Sequence, residues 1–377
     1  MKLSVLLPTR NGARFLPTCV DAILDQPGDL ELVVSDNAND DGTTEFLASR
    51  SDPRLVVVRH ETPLSVTDNW TSALEASTGD YILVLGDDDL LLPGSAERIL
   101  GLAAEADWPD CLLYNAYSYV SPGAMTGINT SQYADPHFHY GPEFIPYQEL
   151  SMSFRHDLVV DMFRFRPRLP LNMQTTVFSR AATSRIRGAV FPPPFPDHYA
   201  LNSLLLTADR WFYAPERLIV IGVTPKSFGH YMYSDKRTEG LDYLGIAVDF
   251  PGRVPGNALI DAMHIWLQML LEAYPDKLST TSISHGDYVL RQIWSWLVGW
   301  RNGAMSLGEV RRLAFRLRAA DVAPAATALL RQRDLWTKAA RRLRPRRGAS
   351  EAQWQGLRPI PDIDEIGAFG RWISRCS

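Results

Sequence analysis

The sequence predicts an α/β fold, a Rossmann-like, mostly parallel sheet flanked by helices, followed by a helical C-terminal extension. Three observations carry this expectation. Short runs that are apolar nearly throughout (Leu3–Leu7, Leu30–Ser35, Leu55–Arg59, Tyr81–Leu85) alternate with stretches of helical spacing. A strand that is apolar on both faces belongs in a parallel sheet covered on both sides. Beyond about residue 255 the strand pattern stops and only helical spacing remains.

Taken in order, Leu3–Leu7 reads as a buried strand ended by Pro8. Ala13–Asp25 places Phe15, Cys19, Ala22 and Ile23 at helical spacing and stops before Pro27-Gly28. Leu30–Ser35 is the second strand, followed by the turn-rich run Asp36–Gly42. Thr43–Arg50 and Val66–Ser77 read as helices around the third strand, and Tyr81–Leu85 is the fourth. After Gly86-Asp87-Asp88-Asp89 the chain is mostly helical to Ala106, and Cys111–Val120 is a Tyr-rich strand. Residues 121–170 read as loop, and Met173–Phe178 as strand. The run Phe191-Pro192-Pro193-Pro194-Phe195-Pro196 forbids helix, so Asp197 opens the helix that follows, through Thr207. Trp211–Ala214 and Leu218–Val223 read as strand pieces. Ala258–Tyr274, Tyr288–Trp300, Leu307–Ala319 and Ala323–Leu335 are helical, with Trp266, Trp294, Trp296 and Trp300 as their packing side chains. A boundary is expected in the loop 249–256. It divides a sheet-bearing unit, residues 1–250 (halves 1–110 and 111–250), from a helical, basic region, residues 251–377.

The bulk numbers narrow the function classes. The chain has 377 residues, 46% hydrophobic and 21% charged, ordinary for a soluble globular protein. Cys19, Cys111 and Cys376 show no paired spacing, which argues against a disulfide framework or thiolate zinc site and for a reducing cytosol. The N-terminus lacks a signal peptide pattern, and no apolar run reaches spanning length, so a cytoplasmic protein is expected. The net charge of −5 hides an asymmetry: 14 Lys and Arg stand against three acids between Arg291 and Arg347, a net +11. That stretch suits a solvated face, self-association into a homo-oligomer, or peripheral contact with the anionic inner face of a membrane. Nucleic acid is not expected, because no recognition motif accompanies the charge.

In parallel sheets ligands bind outside the carboxyl ends of the strands. Here those ends carry Pro8-Thr9-Arg10-Asn11, Asp36-Asn37, His60-Glu61 and Gly86-Asp87-Asp88-Asp89. Three adjacent carboxylates repel one another at a partly desolvated site. A divalent Mg²⁺ or Mn²⁺ ion would relieve that cost, since both take carboxylates together with substrate phosphates. The competing reading is a solvated turn capping the next helix. Asp36-Asn37 suits a base or ribose edge, or a polar turn. Pro8-Thr9-Arg10-Asn11-Gly12 suits a backbone laid against a flat base with Arg10 toward a phosphate, or a plain connection.

Together, Ser4–Gly12, Leu30–Thr43 and Ala76–Asp89 resemble, in order and spacing, the nucleotide-binding half of family-2 glycosyltransferases, which have the GT-A fold. The resemblance covers residues 1–110 well, is looser to about 240 and is absent beyond. It implies transfer of a sugar, with inversion, from a nucleotide diphosphate sugar, commonly UDP-linked, to an acceptor hydroxyl on a glycan, lipid-linked or small-molecule partner. It implies that Pro8, Thr9 and Arg10 line the base pocket, that Asp36, with Asn37 beside it, binds the base, and that Asp68 faces the nucleotide. Asp89 becomes the first metal ligand, with Asp88 and Asp87 toward ribose or water ligands and Asp87 also toward the metal. Gly86 stands where many members carry a further Asp. A displacement of this kind needs a carboxylate that takes the acceptor's proton. The family supplies it at a helix start past the middle of the domain, where this chain has Asp197, otherwise a helix N-cap. Lys226 and His230 follow a strand and suit the donor diphosphate, His230 also as a further metal ligand, in a loop that closes over bound donor. Gln174-Thr175-Thr176 suits sugar or acceptor, and His137-Phe138-His139 an acceptor-side loop or packing. Two competing readings are a sugar nucleotidyltransferase, which should carry more than the one Gly of Pro8–Ala13, and an inactive nucleotide- or glycan-binding module.

Overall fold

The four apolar runs become adjacent parallel strands. β1 (Leu3–Thr9), β2 (Leu30–Asn37), β3 (Leu55–His60) and β4 (Tyr81–Val84) lie in the order β3-β2-β1-β4. Alternate side chains go to opposite faces of a strand. Leu6, Val33, Ile82 and Val84 accordingly join one core, while Val5, Leu7, Leu32, Val34 and Leu83 join another. α1 (Leu16–Leu24) and α4 (Ser95–Glu105) cover the second core, and α3 (Val66–Ala76) the first; the short α2 (Thr43–Ala48) follows β2. The computed structural model describes residues 1–124, 128–170, 172–225, 227, 249–301, 305–332, 356–360 and 362–376.

Past β4 the sheet turns mixed. β9 (Thr176–Ser179) pairs antiparallel with both β4 and β6 (Cys111–Val120). β10 (Trp211–Val223) runs parallel to β6, and β5 (Leu90–Leu91) and β8 (Gln148–Glu149) add to it antiparallel. The two expected strand pieces are thus one strand, irregular between Tyr213 and Ile219, around Pro215, a residue tolerated in sheets at bulges and edges. The expected strand at 173–178 begins instead as a 3₁₀ turn, Met173–Thr175, because the Asn172 side chain accepts from the Gln174 amide.

The reading of residues 121–170 as loop missed α5 (Met152–Met162). Its buried face is Arg155, Leu158, Val159 and Met162 at helical spacing, with a charged residue heading the stripe. The buried Arg155 guanidinium donates to the carbonyls of Ala208 and Asp209, at 2.5 and 3.0 Å, past the C-terminus of α7 (Pro196–Thr207). A helix end needs such donors.

The expected boundary near residue 250 does not separate two cores. α8 (Ala258–Ala273) and α9 (His285–Arg301) place Trp266, Leu270, Tyr288 and Trp296 in the same cluster as Leu6 and Phe178. α10 (Leu307–Ala314) ends earlier than expected, and α11 (Ala319–Arg331) starts earlier. The chain then returns to the sheet. β11 (Arg358–Pro359) pairs with the edge strand β7 (Gln132–Ala134), and α12 (Ile366–Cys376) packs on Leu90, Leu92, Tyr117, Tyr119 and Val220. Gly367 and Gly370 permit this approach, since a Cβ would press into Thr18 and Leu90. Phe369 is fully buried among Tyr117, Tyr119, Tyr133 and Trp372. Phe369→Ala is therefore expected to cost about 3–5 kcal/mol, read as a lower urea midpoint. Among the described residues no helix is long and apolar enough to cross a membrane.

Candidate functional site

The β1–β2 register sets Thr9 opposite Asp36, and the Thr9 hydroxyl donates to Asp87 Oδ2 at 2.5 Å. Two acidic side chains from different strand ends therefore flank one threonine. Asp36 is buried, and its carboxylate accepts from Asn39 Nδ2 at 2.5 Å and Thr44 Oγ1 at 2.8 Å, so the turn after β2 folds around it. Arg10 donates to the Asn37 carbonyl at 3.1 Å. The Asn37 amide brackets Leu64, accepting from its N–H at 2.6 Å and donating to its carbonyl at 3.1 Å. This ties the approach to α3 onto the end of β2. Asp68, in the first turn of α3, is exposed and accepts from the Ser65 hydroxyl at 2.7 Å, so it serves the start of that helix. Gly12 sits over the pair, where a Cβ would press on Thr9 Oγ1 and come within 2.6 Å of Asp87 Oδ2. Gly12→Ala is expected to displace both groups and weaken nucleoside diphosphate binding about tenfold, roughly 1.4 kcal/mol, measured by calorimetric titration.

The three aspartates have three different environments. Asp89 is buried, and its oxygens accept from the backbone amides of Gly86 at 2.7 Å and Gly222 at 3.0 Å. Burial foremost, then the charge of Asp88, pushes its pKa up against these amides and a hydrogen bond from Gln174. The expectation that Asp89 leads metal ligation meets a carboxylate already committed to fixing the acidic turn against β10. Asp88 is half-buried, and one oxygen accepts from the hydroxyls of Thr224, at 2.8 Å, and Ser227. Asp87 faces Thr9. Beneath the turn, the Cys19 thiol donates to the Gly86 carbonyl at 3.6 Å, and burial, then the charges of Asp89, Asp87 and Asp88, hold it protonated. A Cβ at Gly222 would collide with the Asp88 carbonyl, so only glycine lets β10 press so closely. Among the described residues no group of three His, Cys, Asp or Glu side chains is arranged to hold a metal ion. Lys226 and His230 lie outside the described residues.

Asp197 is carried by a separate element. It lies in the first turn of α7 behind Pro196, and the N-cap is Phe195, so Asp197 is not the helix cap that the competing reading offered. A carboxylate there is favoured by the helix dipole. Its side chain is 19% exposed, and His198 Nε2 stands 3.7 Å from Oδ1. Burial raises the Asp197 pKa, offset in part by His198, and burial lowers that of His198. Phe191 meets Trp70 of α3 edge-on at 5.3 Å, and His198 packs between Phe195 and Trp266 of α8 at 4.9 and 5.8 Å. The start of α7 is thus braced by the helix that Asn37 anchors and by α8.

Gln174, expected at sugar or acceptor, bonds Asp89 instead. His137 is packing: its N–H donates to the Ala116 carbonyl at 2.7 Å, its ring meets Ser118, and burial drops its pKa to about 4. The sequence reading did not single out Gly222, Thr224 or Ser227. Gly222 lies inside β10, and the only local signal for Thr224 and Ser227 is a position just after it, beside more conspicuous charged neighbours.

Residues 4–151 match the Glycosyl transferase family 2 profile. A PGL/p-HBAD biosynthesis glycosyltransferase of Mycobacterium bovis is 36% identical over 116 residues, 29% of this chain and 44% of that protein. The GalNAc(5)-diNAcBac-PP-undecaprenol beta-1,3-glucosyltransferase of Campylobacter jejuni is 30% identical over 108 residues, 28% of this chain and 35% of its own. The chain thus spans less than half the length of these relatives. Among solved structures, S. aureus TarS 1–349 in complex with UDP-GlcNAc aligns with a TM-score of 0.49 at 16% identity, over 89% of this chain and 92% of that one. The strand-end motifs thus lie within residues 4–151, the part of the chain that carries the Glycosyl transferase family 2 match.

Proposed function

We propose that the protein transfers a sugar, with inversion, from a nucleotide diphosphate sugar, UDP-linked, to an acceptor hydroxyl. The observation that carries this reading is that Thr9 pairs with Asp36 in the β1–β2 register and donates to Asp87, at the carboxyl ends of β1, β2 and β4. Pro8, Thr9 and Arg10 would line the base, Asp36 and Asn37 its polar edge, and Asp197 would take the proton of the acceptor hydroxyl as the new bond forms. A Mn²⁺ or Mg²⁺ ion fits this donor set when donor phosphates complete the shell, since such ions use one or two carboxylates. Asp87 and Asp88 would hold it, and it would stabilise charge on the departing diphosphate. Lys226 and His230 remain candidates for the diphosphate. The Campylobacter relative's name specifies a lipid-linked acceptor. That supports a lipid-linked acceptor here, with glycan or small-molecule acceptors as the other classes, and a cytoplasmic enzyme resting on the inner face of the membrane.

The test is incubation of the purified protein with Mn²⁺ and a panel of nucleotide sugars, with and without chelator. Release of nucleoside diphosphate, lost on chelation, is expected. Pyrophosphate exchange would instead identify a nucleotidyltransferase, and binding without turnover an inactive module.

A further inference from the structure

α10 and α11 each carry exposed apolar side chains in a stretch rich in exposed arginines. α11 buries Asp321, Ala325 and Ala328 and packs against α9. Its opposite face carries Val322, Ala326 and Leu330 at every fourth residue, and no charged side chain occurs between Asp321 and Arg331. Val322 is 49% and Leu330 73% exposed. α10 buries no residue at all, and Phe315 at its C-cap is 89% exposed. Monomeric soluble proteins scatter exposed apolar side chains singly, whereas grouped ones mark an interaction surface.

The charge around this surface is one-sided. Arg311, Arg312, Arg316, Arg318 and Arg331 are exposed, against Glu309 and Asp321 as the acids of this stretch. Both acids are used locally: Glu309 accepts from the Ser306 amide at 2.7 Å in a capping box, and Asp321 accepts from Arg318 and from His285. The arginine excess therefore faces outward. A second copy on a twofold axis would bring the same arginines toward one another, which costs energy. An anionic bilayer accepts both halves of the pattern, apolar side chains below the headgroups and guanidinium groups at the phosphates.

We propose that Phe315 and the arginines of α10, together with the Val322–Leu330 face of α11, dock the protein on an anionic lipid bilayer. This rests on the membrane placement proposed above and names its surface. The test is co-flotation of the full chain with vesicles of phosphatidylcholine alone or mixed with phosphatidylglycerol. Binding is expected to the mixed vesicles only, to weaken with salt, and to fall roughly tenfold or more in the Phe315→Ser/Leu330→Ser double variant. Arg311→Glu/Arg312→Glu is expected to lose binding as well. Nucleoside diphosphate release from the donor is measured in parallel and is expected to stay unchanged in both variants. Unchanged vesicle binding in both would overturn the face while leaving membrane placement standing. No binding by the parent chain would overturn both and leave the transfer chemistry untouched. A concentration-dependent dimer dissolved by the double variant would assign the face to self-association instead.

Discussion

Asp197→Asn is expected to cut sugar transfer by about 10²–10⁴-fold while changing donor affinity less than about twofold. The amide keeps the size of the carboxylate and its place in the first turn of α7, but it has no basic lone pair for the acceptor's proton. Transfer is read as nucleoside diphosphate released in the presence of acceptor, and affinity by titration with the diphosphate. The pH profile supplies a second signature. Burial raises the Asp197 pKa, so the ionised base is lost, as pH falls, at a higher pH than for an ordinary carboxylate. The acid limb of kcat/KM is expected above the usual carboxylate range, and that limb should vanish in the Asn variant. The same shift acts on stability with the opposite sense from most aspartates. The folded chain holds this proton more tightly than the unfolded one, so the contribution is favourable below the unfolded pKa and is lost as pH rises through the raised value. Full transfer by Asp197→Asn would move the base elsewhere.

Asp89→Ala is expected to lose donor binding and fold stability together. Removing the carboxylate strands the Gly86 and Gly222 amides in a buried place, at about 1–3 kcal/mol each. Urea denaturation should show a lower midpoint, and titration should show no saturable diphosphate binding. Asp88→Ala is the informative contrast. Its carboxylate is half-buried and held by two hydroxyls, so the midpoint should hold nearly constant while donor affinity falls. If Asp89→Ala kept its urea midpoint and lost only metal-dependent activity, the anchoring role would be refuted and the original ligand role restored.

The aspartate triplet also shows where sequence reasoning stops. The four parallel strands were legible to within about two residues, the usual uncertainty of an element's ends: β1, β2 and β4 are covered on both faces and so apolar on both, and the edge strand β3 shows its Val56–Val58 run although Val57 is exposed. The strand ends followed from the strands, and with them Thr9, Asp36 and Asp87. The division of labour among Asp87, Asp88 and Asp89 did not follow, because it depends on Gly222, 133 residues away, and on whichever hydroxyls β10 delivers. α5 was hidden for a related reason. Its stripe begins with an arginine whose burial makes sense only once the carbonyls beyond α7 are in place. The cluster shared across residue 250 was not legible either, because helical spacing reports local geometry, not which core a helix joins. Trp266 and Tyr288 look alike whether they pack on each other or on a sheet.

The return of the chain through α12 bears on how the protein is made. Leu90 and Leu92, next to the acidic turn, and Tyr117 and Tyr119 on β6 have their cover in α12. While the polypeptide emerges from the ribosome, those side chains are synthesised long before their partners. The N-terminal half must persist with an oily flank open to neighbours, the kind of intermediate that invites aggregation or a chaperone. Such distant pairing also closes slowly. Competence for donor would then appear abruptly and late, as the terminal helix seats against Leu90.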